Sequence, residues 1–176
     1  MLGATAALLC EVGYGALTMA AVAKRAKVSK ATIYRWWRSK AALVVEAVST
    51  LASGAVPEPD TGSLEGDVRV ALADLLAFMG SPLGGVVEAL AVASQRNPEL
   101  ARALEENFLA GRREMVTKVL GRAEARGELR HRVDKELVAD VAVSLLFYRI
   151  RRPAPIDRSL VDGFIRLLSQ GVQRAT

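Results

Sequence analysis

Apolar residues recur at three- and four-residue spacing along most of the chain, the period of one helix face. Alternating runs rich in β-branched and aromatic residues are missing. The pattern predicts an all-α fold of about nine helices. The first four fall at 2–12, 18–26, 30–37 and 40–51. Gly13-Tyr14-Gly15 closes the first, and Thr18, Ser29 and Ser39 stand where N-caps belong for the other three. A stretch rich in Pro, Gly and small polar residues over 53–63 reads as a linker, which divides the chain into domains at 1–53 and 64–176. Beyond it the periodicity predicts helices at 64–79, 83–95, 98–126, 134–150 and 157–174. Asn97 and Pro98 suit the start of the third of these, Gly127 its end, and Asp134 and Asp157 the N-caps of the last two.

Charge changes the picture more than composition does. The 176 residues carry 24 Lys+Arg and 19 Asp+Glu, a formal net charge of +5. Residues 1–53 hold seven of the basic side chains (Lys24, Arg25, Lys27, Lys30, Arg35, Arg38, Lys40) and only two acids, Glu11 and Glu46. The remainder is balanced. The excess is therefore a local basic surface between 24 and 40. One cysteine, Cys10, and one histidine, His131, exclude a disulfide framework and a Cys/His zinc site. The longest charge-free stretch, 75–87, is interrupted by Gly80, Pro82, Gly84 and Gly85 and is too short to span a bilayer. The first ten residues have no basic residue ahead of their apolar run, so a cytoplasmic location is expected, with Cys10 a small buried residue on an apolar helix face.

The helices at 18–26 and 30–37, joined by Lys27-Val28-Ser29, have the dimensions of a helix-turn-helix. Met19, Val22 and Ala23 give the first an apolar face, which Val28, Ile33 and Trp37 continue. Lys24, Arg25, Lys27, Lys30, Arg35 and Arg38 are left outside. Thr18, Ser29 and Ser39 are followed three residues later by Ala21, Thr32 and Ala42, not by the Glu of a capping box. These positive helix ends are open to an external anion such as phosphate.

The run Val28-Ser-Lys-Ala-Thr-Ile-Tyr-Arg-Trp-Trp-Arg-Ser-Lys40, within a match dense over 12–51, resembles the DNA-binding domain of TetR-family transcriptional regulators. Beyond the linker, only the helix layout and Ala125-Arg-Gly-Glu-Leu-Arg130 are similar. The resemblance implies a DNA-facing set of Thr18, Lys27, Ser29, Lys30, Ala31, Thr32, Tyr34, Arg35, Trp36 and Lys40. In it Thr18 holds a phosphate, Tyr34 and Lys40 grip the backbone, and Lys30, Thr32 and Arg35 lie at or near base edges. Trp37 takes the place of a buried aromatic, and Trp36 replaces a common His or Tyr. Three features depart from the family. Lys27 stands where a turn Gly is usual, which predicts a left-handed residue at a cost of about 1 kcal/mol. The sequence begins almost inside the first helix, without the basic N-terminal arm of many relatives; if nothing precedes it, a lower non-specific affinity is expected. Ala41 replaces a common acid.

In the second domain, Val141, Leu145, Leu160, Phe164, Leu167 and Leu168 belong to apolar stripes at helical spacing. The family resemblance implies that these stripes form a two-fold homodimer interface. It also implies a small-molecule inducer pocket, for which the large side chains Phe78, Met79, Leu104, Phe108, Met115 and Phe147 are candidates. His131 reads as a surface residue, and Arg149, Arg151 and Arg152 as the basic end of a helix. The expected function is a repressor that binds double-stranded DNA at a pseudo-palindromic operator as a homodimer and is released by a ligand. The alternative is a DNA-binding regulator controlled by a partner protein or acting as an activator. No membrane partner and no cofactor are expected. An enzyme is disfavoured, because the chain has no Gly-x-Ser-x-Gly elbow, no phosphate-cradling Gly-rich loop and no His-Glu-x-x-His.

Overall fold

The computed structural model describes residues 1–55, 58–129 and 133–151, together with 159, 162–164, 166 and 167. Among them every regular element is helical: α1 (Leu2–Ala16), α2 (Met19–Arg25), α3 (Lys30–Trp36), α4 (Lys40–Ala55), α5 (Leu64–Met79), α6 (Pro82–Ser94), α7 (Pro98–Leu104), α8 (Ala110–Ala125) and α9 (Lys135–Arg151). A π-helical turn, Glu105–Leu109, lies between α7 and α8. The helix expected over 157–174, with its cap Asp157, falls largely outside the described residues, as does His131.

The helix ends follow the expected chemistry. Asn97 accepts from the Leu100 N–H at 3.1 Å with Pro98 in the first turn, and Asp134 accepts from Leu137 at 3.0 Å. Gly127 adopts φ 75° while the Glu128 N–H reaches back to the Ala123 carbonyl at 2.9 Å, a Schellman closure of α8. Two boundaries differ from expectation. Gly13 (φ 72°, ψ 170°) breaks α1 where predicted, but a further helical turn runs on to Ala16. The helix expected to be continuous over 98–126 contains the π turn. There the Asn107 Nδ2 donates to the Ala103 carbonyl at 3.0 Å, a local bond that competes with the backbone ladder at that position.

The described residues form two compact units. One comprises Met1–Ala55 and Phe78–Ala110, the other Val56–Ala77 and Gly111–Thr176. Packing thus divides the chain differently from the linker, because α6, α7 and the π turn join the first four helices. The reason is α4. Leu43, Val44, Val45, Ala47, Val48 and Ala52 are all fully buried, so it needs partners around most of its circumference. α1, α6, α7 and the π turn supply them. Cys10 is exposed, contrary to expectation. The packed face of α1 carries Thr5, Ala6, Leu8 and Leu9, and Cys10 falls on the outer stripe with Gly3 and Ala7. Where α5 turns into α6, Ser81 caps α6 by accepting from the Gly84 N–H at 3.2 Å, and Gly84 lies against the end of α5.

In the second unit α5, α8 and α9 enclose an apolar interior held at one end by a polar latch. Buried Asp67 accepts from the Thr61 N–H (2.6 Å) and Oγ1 (2.8 Å) and faces Arg126 Nη2 at 3.4 Å. Burial alone raises the Asp67 pKa, but these hydrogen bonds and the nearby Arg126 and Arg122 charges outweigh it, leaving the net shift downward. Arg126 also holds Glu128, whose other oxygen accepts from the Leu64 N–H at 2.5 Å. The end of α8 is thereby bound to the start of α5.

Adjacent glycines in α6 test this packing. A Cβ on Gly84 would lie 2.5 Å from the Phe78 carbonyl and 2.6 Å from Met79 Cα, whereas one on Gly85 meets nothing within 4 Å. In thermal or urea unfolding, Gly84→Ala is expected to lose about 1–3 kcal/mol through overpacking. Gly85→Ala should gain up to about 1 kcal/mol from helix propensity. Equal effects would contradict this packing.

Candidate nucleic-acid interface

Met19, Val22 and Ala23 of α2 are buried with Ile33 of α3 and Trp37 just beyond it, as the apolar pattern predicts. Trp37 Nε1 donates to Glu46 Oε2 at 2.7 Å, which ties the end of α3 to α4. The connection between α2 and α3 is a Schellman turn built without glycine. The Val28 N–H reaches the Ala23 carbonyl at 3.0 Å, the Lys27 N–H reaches Lys24 at 3.3 Å, and Lys27 itself sits at φ 54°. It is the one non-glycine with positive φ among the described residues.

Hydroxyl caps start all three helices that follow the first. Thr18 Oγ1 accepts from the Ala21 N–H at 3.1 Å, Ser29 Oγ from Thr32 at 3.0 Å and Ser39 Oγ from Ala42 at 3.1 Å. A hydroxyl that caps as acceptor keeps its own proton for donation. Exposed Thr18 therefore retains a donor beside the positive end of α2. Thr32 Oγ1 lies 2.9 Å from Ser29 Oγ, so the cap also orients this half-buried threonine. No acid occupies the first turn of α2, α3 or α4, in contrast to Glu65 and Asp67 of α5, Glu99 of α7 and Glu136 of α9.

Lys27, Ser29, Lys30, Ala31, Tyr34, Arg35 and Trp36 are exposed and lie on the turn and α3. Tyr34 is 51% and Trp36 65% exposed, high values for large aromatics. The Arg35 guanidinium lies 5.5 Å from the Trp36 ring centroid, within cation–π range. Among the described residues Lys24, Lys27, Lys30, Arg35 and Arg38 have no carboxylate partner, whereas Arg25 pairs with Glu11 at 2.5 Å. Lys40 is set on the DNA backbone by the family resemblance. It is half-buried, donates to the Tyr14 carbonyl at 2.8 Å and lies 4.2 Å from the Tyr14 ring centroid. Tyr14 Oη in turn meets Asn97 Nδ2 at 3.4 Å. Burial, then the charge of Glu99, raises the Tyr14 pKa against the Asn97 hydrogen bond, so the phenol stays protonated. Sequence reading missed Tyr14 because its partners come from residues 40 and 97, at separations no local pattern reports.

In the second unit a cavity of about 100 Å³ lies among α5, α8, α9 and Phe164. Of the six pocket candidates, Met115 lines it. Phe78 and Leu104 are buried in the first unit, Met79 and Phe108 are half-buried, and the Phe147 side chain is outside the described residues. Large residues were weighted in the sequence; the cavity wall mixes Leu72, Leu75 and Met115 with the smaller Val68, Ala71, Val116 and Val119. Of the candidate interface residues, Val141 is 49% exposed and Leu167 62%. Leu145 and Phe164 line the cavity, and Leu160 and Leu168 lie outside the described residues. Leu137, 59% exposed, extends the Val141 face by one turn.

A capped two-helix hairpin with a rigid apolar underside and a cationic, aromatic outer surface defines a helix-turn-helix DNA-binding protein. The chain belongs to the TetR family of bacterial regulators: it matches the family models "Bacterial regulatory proteins, tetR family" over residues 1–47 and "Tetracyclin repressor-like, C-terminal domain" over 58–168. It is 37% identical over 174 residues to the uncharacterized HTH-type transcriptional regulator YdeS of Bacillus subtilis, covering 98% of this chain and 88% of the relative. It is 31% identical to the HTH-type transcriptional repressor KstR of Mycolicibacterium smegmatis, over 96% and 84% of the two chains. Among solved structures, the TetR family regulator SCO0332 superposes with a TM-score of 0.85 at 30% identity, over 98% of this chain and 96% of the other. The protein is thus a DNA-binding transcriptional regulator and not an enzyme.

The left-handed lysine yields a separable prediction. Lys27→Gly should relieve about 1 kcal/mol of backbone strain and raise the melting midpoint by about 2–4 °C. It should also flatten the salt dependence of DNA binding by about 0.9 in log–log slope if the side chain meets one phosphate. A variant melting below the wild type would show that the turn carries no such strain.

Proposed function

We propose that the protein represses transcription as a homodimer on a pseudo-palindromic operator and leaves DNA when a small molecule occupies the cavity of the second unit. The observation that carries the DNA contact is the set of five cations, Lys24, Lys27, Lys30, Arg35 and Arg38, without carboxylate partners around α2 and α3. Cations that no acid neutralises are available to displace counterions from phosphate. Thr18 and Tyr34 add neutral donors for the backbone, while Lys30, Thr32 and Arg35 on α3 read bases. Lys40, held by Tyr14, acts first by fixing α4 against the end of α1. Its contribution to phosphate binding is made from that fixed position. Repression is supported by relatives named as repressors.

The operator selected by this protein from random-sequence DNA provides the assay. Binding measured by fluorescence anisotropy should weaken steeply with rising salt. Tyr34→Phe should reduce affinity similarly on operator and random DNA. Thr32→Ala and Arg35→Ala should relax preference at individual base pairs, by about 1–3 kcal/mol for a bidentate contact. Uniform losses for all three variants would remove the base-reading assignment.

A dimer is favoured by the physics of readout, since one seven-residue α3 spans too few bases for useful specificity. The exposed Leu137 and Val141 on α9 supply an apolar face for it. Leu137→Glu with Val141→Glu should convert a dimeric sedimentation mass to a monomeric one and weaken operator binding, with the monomer remaining helical by circular dichroism. A wild-type monomer at micromolar concentration would refute the dimer.

A further inference from the structure

We propose that the cavity of the second unit takes a neutral, apolar molecule about the size of one aromatic ring, and discriminates against acids of the same size. The inference deepens the ligand-release reading above and rests on it only for the consequence to DNA. Its walls come from three helices at helical spacing: Leu64, Val68, Leu72 and Leu75 on α5 face Met115 and Val119 on α8, and α9 closes the remaining side. Two charged residues border it, yet its accessible wall is almost entirely hydrocarbon. The Asp67 carboxylate accepts two bonds from Thr61 and faces Arg126. Arg112 already interacts with a neighbouring group.

An acid entering this space would lose its hydration to a lining of hydrocarbon, with almost no accessible polar surface to replace water. A neutral hydrocarbon loses only unfavourable hydration. Desolvation already lowers the Arg112 pKa, an independent sign that this region penalises charge. Volume sets the second limit. The cavity measures about 100 Å³, and an apolar cavity of about 150 Å³ stays dry and holds benzene. A single ring therefore fits with small wall adjustments, for which Met115, unbranched and flexible, is suited. A long acyl chain exceeds this volume.

Fluorobenzene is neutral and para-fluorobenzoate charged, para-fluoronitrobenzene matches the benzoate in size without its charge and should broaden where the benzoate does not, and fluorine NMR reads all three directly. With the full-length protein, fluorobenzene should show saturable line broadening, and the benzoate little or none at the same concentration. Fluorobenzene at ten times its dissociation constant should raise the melting midpoint by about 3 °C. Ala71→Leu, which fills the lining from α5, should abolish the broadening while the protein still melts cooperatively. Ala142→Leu serves the same purpose from α9 if the first variant is destabilised. Benzoate binding as tight as or tighter than fluorobenzene, or no binding of either, overturns the proposal. Operator anisotropy separates this outcome from the wider reading: saturable binding of fluorobenzene without DNA release would defeat ligand-controlled release and leave the cavity's ligand class standing.

Discussion

Burial of α4 is the constraint on which the rest of the first unit depends. A helix apolar around most of its circumference cannot be left with one packed face, and its fully buried Leu43, Val44, Val45 and Val48 require neighbours on several sides. Those neighbours include α1, α6, α7 and the π turn. The helix-turn-helix is then fastened to this core by a few directed contacts. Trp37 joins the end of α3 to Glu46, and Lys40 joins the start of α4 to Tyr14. The exposed side of α3 is thus free to carry Tyr34, Arg35 and Trp36 because its other side, through Ile33, is committed to the interior.

The same economy appears at the turn between α2 and α3. A Schellman closure needs one residue in the left-handed region, and glycine meets that need without steric cost. Lysine meets it at a cost of about 1 kcal/mol, while placing a cation between two short helices whose first turns lack acids. A local rule is broken on the surface proposed to meet DNA. Such breaches belong at functional sites, where the sequence gives up local stability for a surface property.

How much of this was legible in the sequence depended on the range of the interaction. Helix starts at Thr18, Ser29, Asn97 and Asp134 were readable because a cap is a contact across three residues. The apolar undersides of α2 and α3, including the assignment of Trp37 to the core, were readable because they repeat at the helical period. The π turn at 105–109 was not, since Asn107 competing for one carbonyl leaves no periodic trace. Nor was the association of α6 and α7 with the first four helices: the 53–63 segment is compositionally a linker, but packing partners are chosen by buried area and not by proximity along the chain. Cys10 failed as a core residue by about one position of helical phase. Of the large residues offered for a pocket, Met115 borders the cavity while Phe78 and Leu104 fill the interior of the first unit, because size does not tell a side chain that fills space from one that lines it.

Charge pairing separates the two kinds of recognition in the molecule. In the second unit four cations on α8 and just beyond it are matched within reach: Arg113 with Asp140, Lys118 with Glu58 and Glu114, Arg122 with Glu58 and Asp60, and Arg126 with Asp67 and Glu128. Pairs of this kind hold segments together but project little field, because each cation is cancelled nearby. The cations at 24, 27, 30, 35 and 38 are not cancelled, and their field extends about 10 Å at moderate salt. A polyanion approaching the protein is therefore drawn to the α2–α3 surface before any base is read. The paired cations around α8 offer it little competing attraction, and the hydrocarbon wall of the cavity offers it none. A net charge of +5 is thus effective as a recognition device because of where it is left unpaired.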